Sequence, residues 1–285
     1  MDLLDELETR VVCGDGAMGT LLLNDGVPIG RCFEELCVSE PERITKIHQA
    51  YIAAGARVIK TNTFGANAVR LERFGMDGRV SEFNRAAVAV AKRAAKNKDV
   101  FIAGSVGPLG ITSEAAASRG IDSAQCFREQ IVALLDAGVD TIFFETFTVV
   151  NEIEIALQEM MDVSDALAVC SFACKPDGRL RCGTFLIDAF KSLRDLGAKV
   201  MGVNCMNDPG ETGVLLQQLP ADYILAVYPT AGSPQLRNGR FYYDVTPQRF
   251  AGSMSDIVAK GARLVGGCCG TTPAHMAALE KAIAN

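Results

Sequence analysis

The segment SLRDLGAKVMGVNC, residues 192–205, contains the pattern that decides the fold. A helical run ends at Gly197, and a short, mostly apolar run of strand-forming residues follows it. Glycine readily adopts the left-handed conformation that closes a helix, and a largely apolar run is typical of a parallel strand buried on both faces. The phrase recurs as YIAAGARVIKT (residues 51–61), LLDAGVDTIFFE (residues 134–145) and IVAKGARLVGGCC (residues 257–269).

The stretches between these anchors complete a regular alternation of helices and strands. Eight strands are predicted, at Arg10–Cys13, Arg57–Lys60, Val100–Gly104, Thr141–Phe144, Leu167–Phe172, Val200–Val203, Ile224–Val227 and Leu264–Gly267. Helices are predicted between them, for example at Pro41–Ala54, Val80–Lys96, Ala124–Ala137 and Thr246–Lys260. Eight such units in 285 residues predict an α/β fold, a (β/α)8 TIM barrel that forms a single domain over residues 1–285.

An open, doubly wound sheet is the alternative fold. Its usual mark is a glycine-rich phosphate loop after the first strand, and GDGAMGT at Gly14–Thr20 resembles such a loop without matching GxGxxG. The longest predicted loops, Leu109–Asp122 and Thr230–Val245, would edge the active site of a barrel. Asn238-Gly239 in the second loop predicts a hairpin turn.

Composition excludes several classes of function. The net charge is −6 and no basic run occurs, so no nucleic acid partner is expected. No apolar run reaches the length of about 18 residues that a membrane span needs, so no membrane association is expected. Ten cysteines without a signal peptide pattern predict a cytoplasmic, reducing location.

Polar and cysteine residues stand just past most of the predicted strands. In a barrel these ends meet at one rim, where functional groups lie. The residues in these places are Asp15, Thr61-Asn62, Gly107-Pro108, Glu145-Thr146, Asn204-Cys205 and Cys268-Cys269.

Three cysteines at one rim predict a metal site formed by Cys205, Cys268 and Cys269. Thiolates favour zinc over magnesium or calcium, and a catalytic zinc site has three protein ligands and one open position. Gly266, Gly267 and Gly270 would let the backbone bend so that both adjacent cysteines reach one ion. The main alternative is a metal-free barrel with a redox-active Cys268-Cys269 pair.

Two carboxylates at the rim predict recognition of an amino group. Glu145 ends a strand of apolar residues, where an isolated charge would be costly. Asp15 lies in a glycine-rich turn, a place where aspartate is also common for structural reasons. Together they could bind the ammonium group of an amino-acid substrate.

Five motifs, in order along the chain, resemble those of the homocysteine S-methyltransferase family, which includes betaine–homocysteine methyltransferase and the homocysteine module of cobalamin-dependent methionine synthase. They are GDGAMGT (residues 14–20), KTNTFGAN (residues 60–67), FFETF (residues 143–147), GVNC (residues 202–205) and GGCCGTTPAH (residues 266–275). The resemblance implies a zinc barrel that methylates homocysteine to methionine. The zinc ligands would be Cys205, Cys268 and Cys269.

The resemblance also implies substrate contacts. Asp15 and Glu145 would hold the amino group of homocysteine, and backbone groups near Gly16 and the side chain of Thr61 would receive its carboxylate. Asn62 and Asn204 are also expected at the substrate, and Asn204 precedes the first zinc ligand. Betaine-using relatives carry tyrosines where this chain has Gly65 and Thr146, so betaine is a poor donor candidate.

The methyl donor stays open after the resemblance is taken into account. S-methylmethionine, methylcobalamin, a corrinoid protein and methyltetrahydrofolate are the candidates. A chain of 285 residues has no room for a folate or corrinoid module as well. A non-enzymatic reading, a homocysteine-binding module of a larger corrinoid or folate methyl-transfer system, therefore remains the alternative to a complete enzyme.

Overall fold

Parallel strands form a barrel surrounded by helices, as seen in a computed structural model that describes residues 2–205, 208–220, 222–237 and 240–284. The strands are β1 (Val12–Cys13), β2 (Val58–Lys60), β3 (Phe101–Val106), β4 (Thr141–Phe147), β5 (Leu167–Phe172), β6 (Val200–Asn204), β7 (Ile224–Tyr228), β8 (Pro234–Arg237), β9 (Arg240–Tyr243) and β10 (Ala262–Val265).

Helices connect and cover these strands. They are α1 (Leu3–Thr9), α2 (Gly19–Asn24), α3 (Leu36–Ser39), α4 (Pro41–Ala53), α5 (Ala68–Leu71), α6 (Val80–Ala94), α7 (Ser113–Ser118), α8 (Ser123–Asp136), α9 (Val150–Met161), α10 (Leu186–Asp195), α11 (Pro209–Leu216), α12 (Pro247–Ala259) and α13 (Pro273–Ile283). No helix in these described ranges is both long enough and apolar enough to cross a bilayer.

Eight of the strands form one parallel sheet in the order β1-β10-β7-β6-β5-β4-β3-β2. The two edge strands meet through a parallel bridge between Gly14 and Val58, and the Arg57 N–H donates to the Cys13 carbonyl at 2.7 Å. This contact closes the sheet, so the predicted (β/α)8 barrel is confirmed and the open sheet is excluded.

Apolar side chains fill the interior, and every barrel strand contributes at least one of them. This apolar layer consists of Val12, Val58, Ala103, Phe143, Val169, Val200, Ala226 and Leu264. Helix α1 lies at the end of the barrel where the strands begin, and its Leu3 and Leu7 pack into the same cluster. The interior is therefore solid, and a ligand can reach only the opposite rim, where the strands end.

The helix–glycine–strand units are formed as predicted. Gly55, Gly138, Gly197 and Gly261 all have φ between +88° and +104°, the left-handed conformation that ends the preceding helix. Some strand limits differ from the prediction. β3 ends at Val106 rather than Gly104, and β4 ends at Phe147 rather than Phe144, so Glu145 and Thr146 lie within β4 and not just past it. β1 has only two residues, and β10 ends at Val265 rather than Gly267.

The two long loops contain regular structure. α7 lies within Leu109–Asp122, because the Thr112 side chain caps it by accepting from the Ala115 N–H and an alanine-rich run follows. The Thr230–Val245 loop contains the antiparallel pair β8–β9, as a hairpin requires. The predicted turn residues Asn238 and Gly239 lie outside the described residues.

Candidate functional site

The structure brings the three candidate cysteines together at the ends of β6 and β10. Cys205 directly follows β6, and Cys268 and Cys269 lie in the loop after β10. Their Sγ atoms all lie within 4.8 Å of one another. A disulfide joins Cys205 to Cys268, with Cα atoms 5.5 Å apart, and Cys269 is a free thiol. The bond therefore does not join the adjacent pair, Cys268 and Cys269, that the sequence offered as a redox couple.

The reduced cluster can hold a metal ion. Thiolates that share one tetrahedral zinc ion lie about 3.8 Å apart, since each Zn–S bond is about 2.3 Å long. The three Sγ atoms lie within 4.8 Å of one another. They are therefore close to this spacing once the bond between Cys205 and Cys268 is reduced. Burial raises the pKa of the Cys269 thiol, so a nearby cation would be needed to hold it as a thiolate at neutral pH.

The cysteine loop after β10 is tied to the glycine-rich loop after β1. The Gly267 N–H donates to the Asp15 carbonyl at 2.9 Å, and the Ala17 N–H donates to Thr271 Oγ1 at 3.1 Å. Thr271 Oγ1 in turn donates to the Cys268 carbonyl at 2.7 Å. The cysteines and Asp15 are therefore held in one rigid unit, although more than 250 residues separate the two loops.

Two glycines of the cysteine loop are needed for different reasons. Gly270 has φ +81°, as the predicted bend requires. Gly266 has no such conformation, but a Cβ added there would lie 2.6 Å from the Asp15 carbonyl oxygen. The bend therefore comes from Gly270, while Gly266 allows the two loops to approach closely.

Asp15 forms a buried ion pair with Lys60. The Lys60 Nζ atom lies 2.6 Å from Asp15 Oδ1, and the Lys60 backbone N–H donates to Oδ2 at 2.8 Å. The Lys60 ammonium also lies 4.2 Å from the Tyr228 ring centroid and 5.3 Å from that of Phe143. Burial alone would lower the pKa of Lys60, but Asp15 and Glu145 more than offset this and raise it. Lys60 therefore stays charged on top of the barrel interior.

Glu145 lies near this ion pair and has fewer hydrogen-bond partners than Asp15. Its Oε1 atom accepts a hydrogen bond from Ser105 Oγ. Burial raises the pKa of Glu145, and Lys60 and the Ser105 bond offset only part of the effect. A cationic ligand would stabilise its ionised form, which is the property expected of a carboxylate that receives a substrate ammonium.

Asn204 fixes the backbone between the ends of β4 and β6. Its Oδ1 atom accepts from the Thr146 N–H at 2.8 Å and from Ser171 Oγ at 2.9 Å, and its Nδ2 donates to Thr146 Oγ1 at 2.7 Å. Thr146 and Cys205 both have positive φ, +65° and +56°. Such strain costs about 1–3 kcal/mol per residue and is kept where the surroundings impose it.

The remaining predicted substrate residues, Thr61, Asn62 and Gly16, differ in how their polar groups are hydrogen-bonded. The Thr61 hydroxyl bonds Thr63 Oγ1 at 2.7 Å and accepts from the Ser105 N–H at 3.0 Å. The Asn62 side chain donates to the Phe33 carbonyl at 2.7 Å. By contrast, no described residue accepts a hydrogen bond from the Gly16 N–H. The Thr61 hydroxyl is thus bonded within the protein, while the Gly16 N–H is a polar group at the rim without a partner among the described residues.

The sequence pattern did not single out several residues of the site. Lys60 lies within a strand and gave no signal of its own, and Ser105 and Ser171 look like ordinary strand residues. The half-buried Tyr243 of β9 would collide with a Cβ at Gly270, so its ring covers the cysteine loop. His275 Nε2 lies 3.0 Å from the Val245 carbonyl, which links the start of α13 to the end of the hairpin.

Comparisons with known proteins agree with this geometry. The family model described as homocysteine S-methyltransferase matches residues 12–283. The methionine synthase of Mycobacterium tuberculosis is 31% identical over 309 residues, an alignment that covers 100% of this chain and 25% of that protein. The chain spans about a quarter of the length of this relative and of its Mycobacterium leprae counterpart, which is 30% identical.

Solved structures show the same barrel over the whole chain. The oxidized form of the Escherichia coli homocysteine methyltransferase MmuM superposes with a TM-score of 0.80 and 29% identity, covering 98% of this chain and 97% of that one. Its metallated form gives a TM-score of 0.79, 29% identity and 98% coverage of both chains. The chain therefore belongs to the homocysteine S-methyltransferase family, whose members are methyltransferase enzymes that act on homocysteine.

Proposed function

We propose that the chain transfers a methyl group to the thiol of homocysteine, giving methionine, with a zinc ion held by Cys205, Cys268 and Cys269. The observation that carries this proposal is the cluster of three sulfurs within 4.8 Å at the rim that also holds Glu145 and Asp15. The names of the relatives, methionine synthase and homocysteine methyltransferase, support the reaction. The existence of a metallated form of MmuM supports a metal in this chain as well.

The donor set suits zinc. Soft thiolates select zinc over magnesium and calcium, which prefer oxygen ligands. When bound, zinc supplies the positive charge that keeps a coordinated substrate thiol deprotonated near neutral pH. Three cysteines leave one coordination position for that thiol. Cys205 and Cys268 must be reduced for this, so the proposal places the working enzyme in a reducing compartment such as the cytoplasm.

The chain's own charged groups fit the amino-acid part of homocysteine. Asp15 and Glu145 carry two negative charges and Lys60 one positive charge, so this group has a net charge of −1 that one substrate ammonium neutralises. Lys60 occupies both oxygens of Asp15, and Glu145 is therefore the direct ammonium contact. The unused Gly16 N–H is suited to the substrate carboxylate. Fixing both groups aims the substrate sulfur at the donor methyl group.

A second candidate function is the homocysteine half of a larger methyl-transfer system. The observation that favours it is the match to about a quarter of the length of the methionine synthases. In that case the methyl group would come from a corrinoid or folate carried by another module, and the chain alone would bind homocysteine and zinc without turnover on a free donor.

Methionine formation from homocysteine tests the proposal directly. Reduced, zinc-loaded protein is assayed with S-methylmethionine, methylcobalamin and methyltetrahydrofolate, beside Cys205→Ser and the control Cys126→Ser, which changes a half-buried cysteine of α8. We expect wild type and the control to bind zinc and homocysteine equally, and Cys205→Ser to lose both. Turnover with a free donor indicates a complete enzyme, and binding without turnover indicates the half-reaction module. Unchanged homocysteine binding in Cys205→Ser would refute the metal site.

A further inference from the structure

Lys60 places a positive charge inside a site that is proposed to receive another positive charge, the substrate ammonium. It ends β2, and its side chain is 9% exposed. Its ammonium lies against Asp15 and over the rings of Tyr228 and Phe143. Taking two opposite charges out of water costs free energy that their attraction often does not recover, so a buried pair is weak evidence of a stabilising role. Its position at the rim favours a role in recognition.

The groups around this ion pair add no further charge. Within the described ranges, the charge of Asp15 acts on four titratable groups besides Lys60 and Glu145. Burial shifts the pKa of each in the direction that keeps it neutral, downward for the imidazole of His48 and upward for the hydroxyls of Tyr51 and Tyr228 and the thiol of Cys13. The charge beside the cysteine cluster therefore comes from two carboxylates and one lysine.

Lys60 acts on both carboxylates but forms an ion pair with only one of them. Its Nζ atom lies 2.6 Å from Asp15 Oδ1, and its charge also partly offsets the rise in the pKa of Glu145 that burial causes. Because Asp15 and Lys60 cancel each other, Glu145 carries the uncompensated negative charge. An ammonium that enters the site is therefore attracted to Glu145 more strongly than to the neutral pair.

We propose that Lys60 is a specificity-determining residue, which holds Asp15 out of substrate binding and directs the ammonium of the amino-acid substrate to Glu145 alone. This inference rests on the proposed function. Two carboxylates and one lysine give the region a net charge of −1, which one substrate ammonium neutralises. A thiol without an ammonium would leave Glu145 buried and unpaired. The site therefore favours homocysteine over its deaminated analogue.

Removal of the lysine charge should make Asp15 available to the substrate. Without Lys60, Asp15 is a free carboxylate that can bind the ammonium itself. Glu145→Gln should therefore abolish ammonium recognition in a chain that keeps Lys60, but not in a chain that also carries Lys60→Met. Methionine keeps an apolar chain of similar length, and its thioether packs favourably against aromatic rings such as Tyr228 and Phe143.

The ratio of homocysteine affinity to that of its deaminated analogue, 4-sulfanylbutanoate, measures ammonium recognition. Calorimetry with reduced, zinc-loaded protein at mildly alkaline pH, where a buried carboxylate is ionised more readily, gives this ratio for wild type, Glu145→Gln and the double variant Lys60→Met/Glu145→Gln. Two control doubles combine Glu145→Gln with Lys60→Arg, which keeps the charge, or with Lys46→Met, which changes an exposed lysine of α4. Zinc content and urea unfolding check that each protein folds, and Lys60→Gln replaces Lys60→Met if the latter does not.

We expect wild type to prefer homocysteine by about 10- to 100-fold, as a hydrogen bond between charged groups implies. Glu145→Gln and both control doubles should lose most of this preference, and the double variant with Lys60→Met should regain at least about 10-fold. No regain, an equal regain in either control double, or an undiminished preference in Glu145→Gln would overturn the role of Lys60 while homocysteine still binds. Failure of wild type to bind homocysteine would instead refute the proposed function, and this inference with it.

Discussion

At the residue scale, the two rim carboxylates have different surroundings. Asp15 gives both oxygens to Lys60, while Glu145 has a bond only from Ser105 among the described residues. Burial of Glu145 raises its pKa, so its proton is lost less readily than that of an ordinary glutamate. The ammonium group of the substrate would therefore stabilise the ionised form of Glu145, which the protein's own groups stabilise only in part.

Glu145→Gln should remove this recognition. In wild type, homocysteine affinity should fall as the pH drops through the raised pKa of Glu145, above its ordinary value of 4.5, because the protonated acid cannot pair with an ammonium. The variant carries a permanently neutral group, so its affinity should be about 10- to 100-fold lower at neutral pH and flat across that range. Calorimetric titration with zinc-loaded protein measures both.

The exposed Glu129 of α8 offers the matched control, Glu129→Gln, which should behave as wild type. Zinc content should be the same in all three proteins, because Glu145 is not one of the cysteine ligands. A Glu145→Gln variant that kept the wild-type affinity and pH profile would show that the ammonium binds elsewhere.

Some of these residues could be predicted from the sequence and others could not. Asp15 and Glu145 could be predicted because a carboxylate that follows an apolar run at the rim of a barrel needs a partner, although Glu145 lies within β4 and not past it. Lys60 could not, because its role depends on a contact with the loop that follows the neighbouring strand β1, 45 residues earlier in the sequence. Asn204 was expected at the substrate, which stays a prediction; its bonds to Thr146 and Ser171, which hold the rim together, could not be read from the sequence.

At the element scale, the loop after β10 works as one unit with the loop after β1 and the β8–β9 hairpin. Thr271 joins the first two loops, and Tyr243 of β9 packs on Gly270. Contacts with both of these elements therefore position the loop that carries Cys268 and Cys269.

Gly270→Ala should destabilise this unit. The residue has φ +81°, and an added Cβ would lie 2.1 Å from the Tyr243 ring, so the loop or the hairpin must move. We expect a loss of about 1–3 kcal/mol in the free energy of unfolding, together with weaker zinc binding. Urea unfolding of the reduced protein and a zinc competition assay measure the two effects.

The control for this prediction is Gly252→Ala in α12. A Cβ there meets nothing within 4 Å, and alanine should stabilise the helix by about 0.5–1 kcal/mol relative to glycine. The two variants should thus shift stability in opposite directions. A Gly270→Ala protein as stable as wild type would contradict the packing described for the cysteine loop.

The helices and strands themselves could be predicted well where the pattern is local. The glycine that ends a helix and the apolar run after it mark four of the eight units. α7 was missed because it is short and lies in a polar segment. The early end of β10 was missed because Gly266 and Gly267 continue an apolar run while their backbone already turns towards Asp15.

At the scale of the whole molecule, closure of the barrel explains why distant residues share a site. Apolar side chains fill the interior, and α1 closes the other end, so chemistry is confined to a single rim.

X-ray absorption at the zinc edge, with and without homocysteine, tests the central claim most directly. Reduced wild-type protein should bind one zinc ion with three protein sulfur neighbours, and a fourth sulfur should appear when homocysteine is added. Cys268→Ala should bind zinc far more weakly. A zinc shell of oxygen and nitrogen only, or no added sulfur with homocysteine, would contradict the assignment of Cys205, Cys268 and Cys269 as the site that activates the substrate thiol.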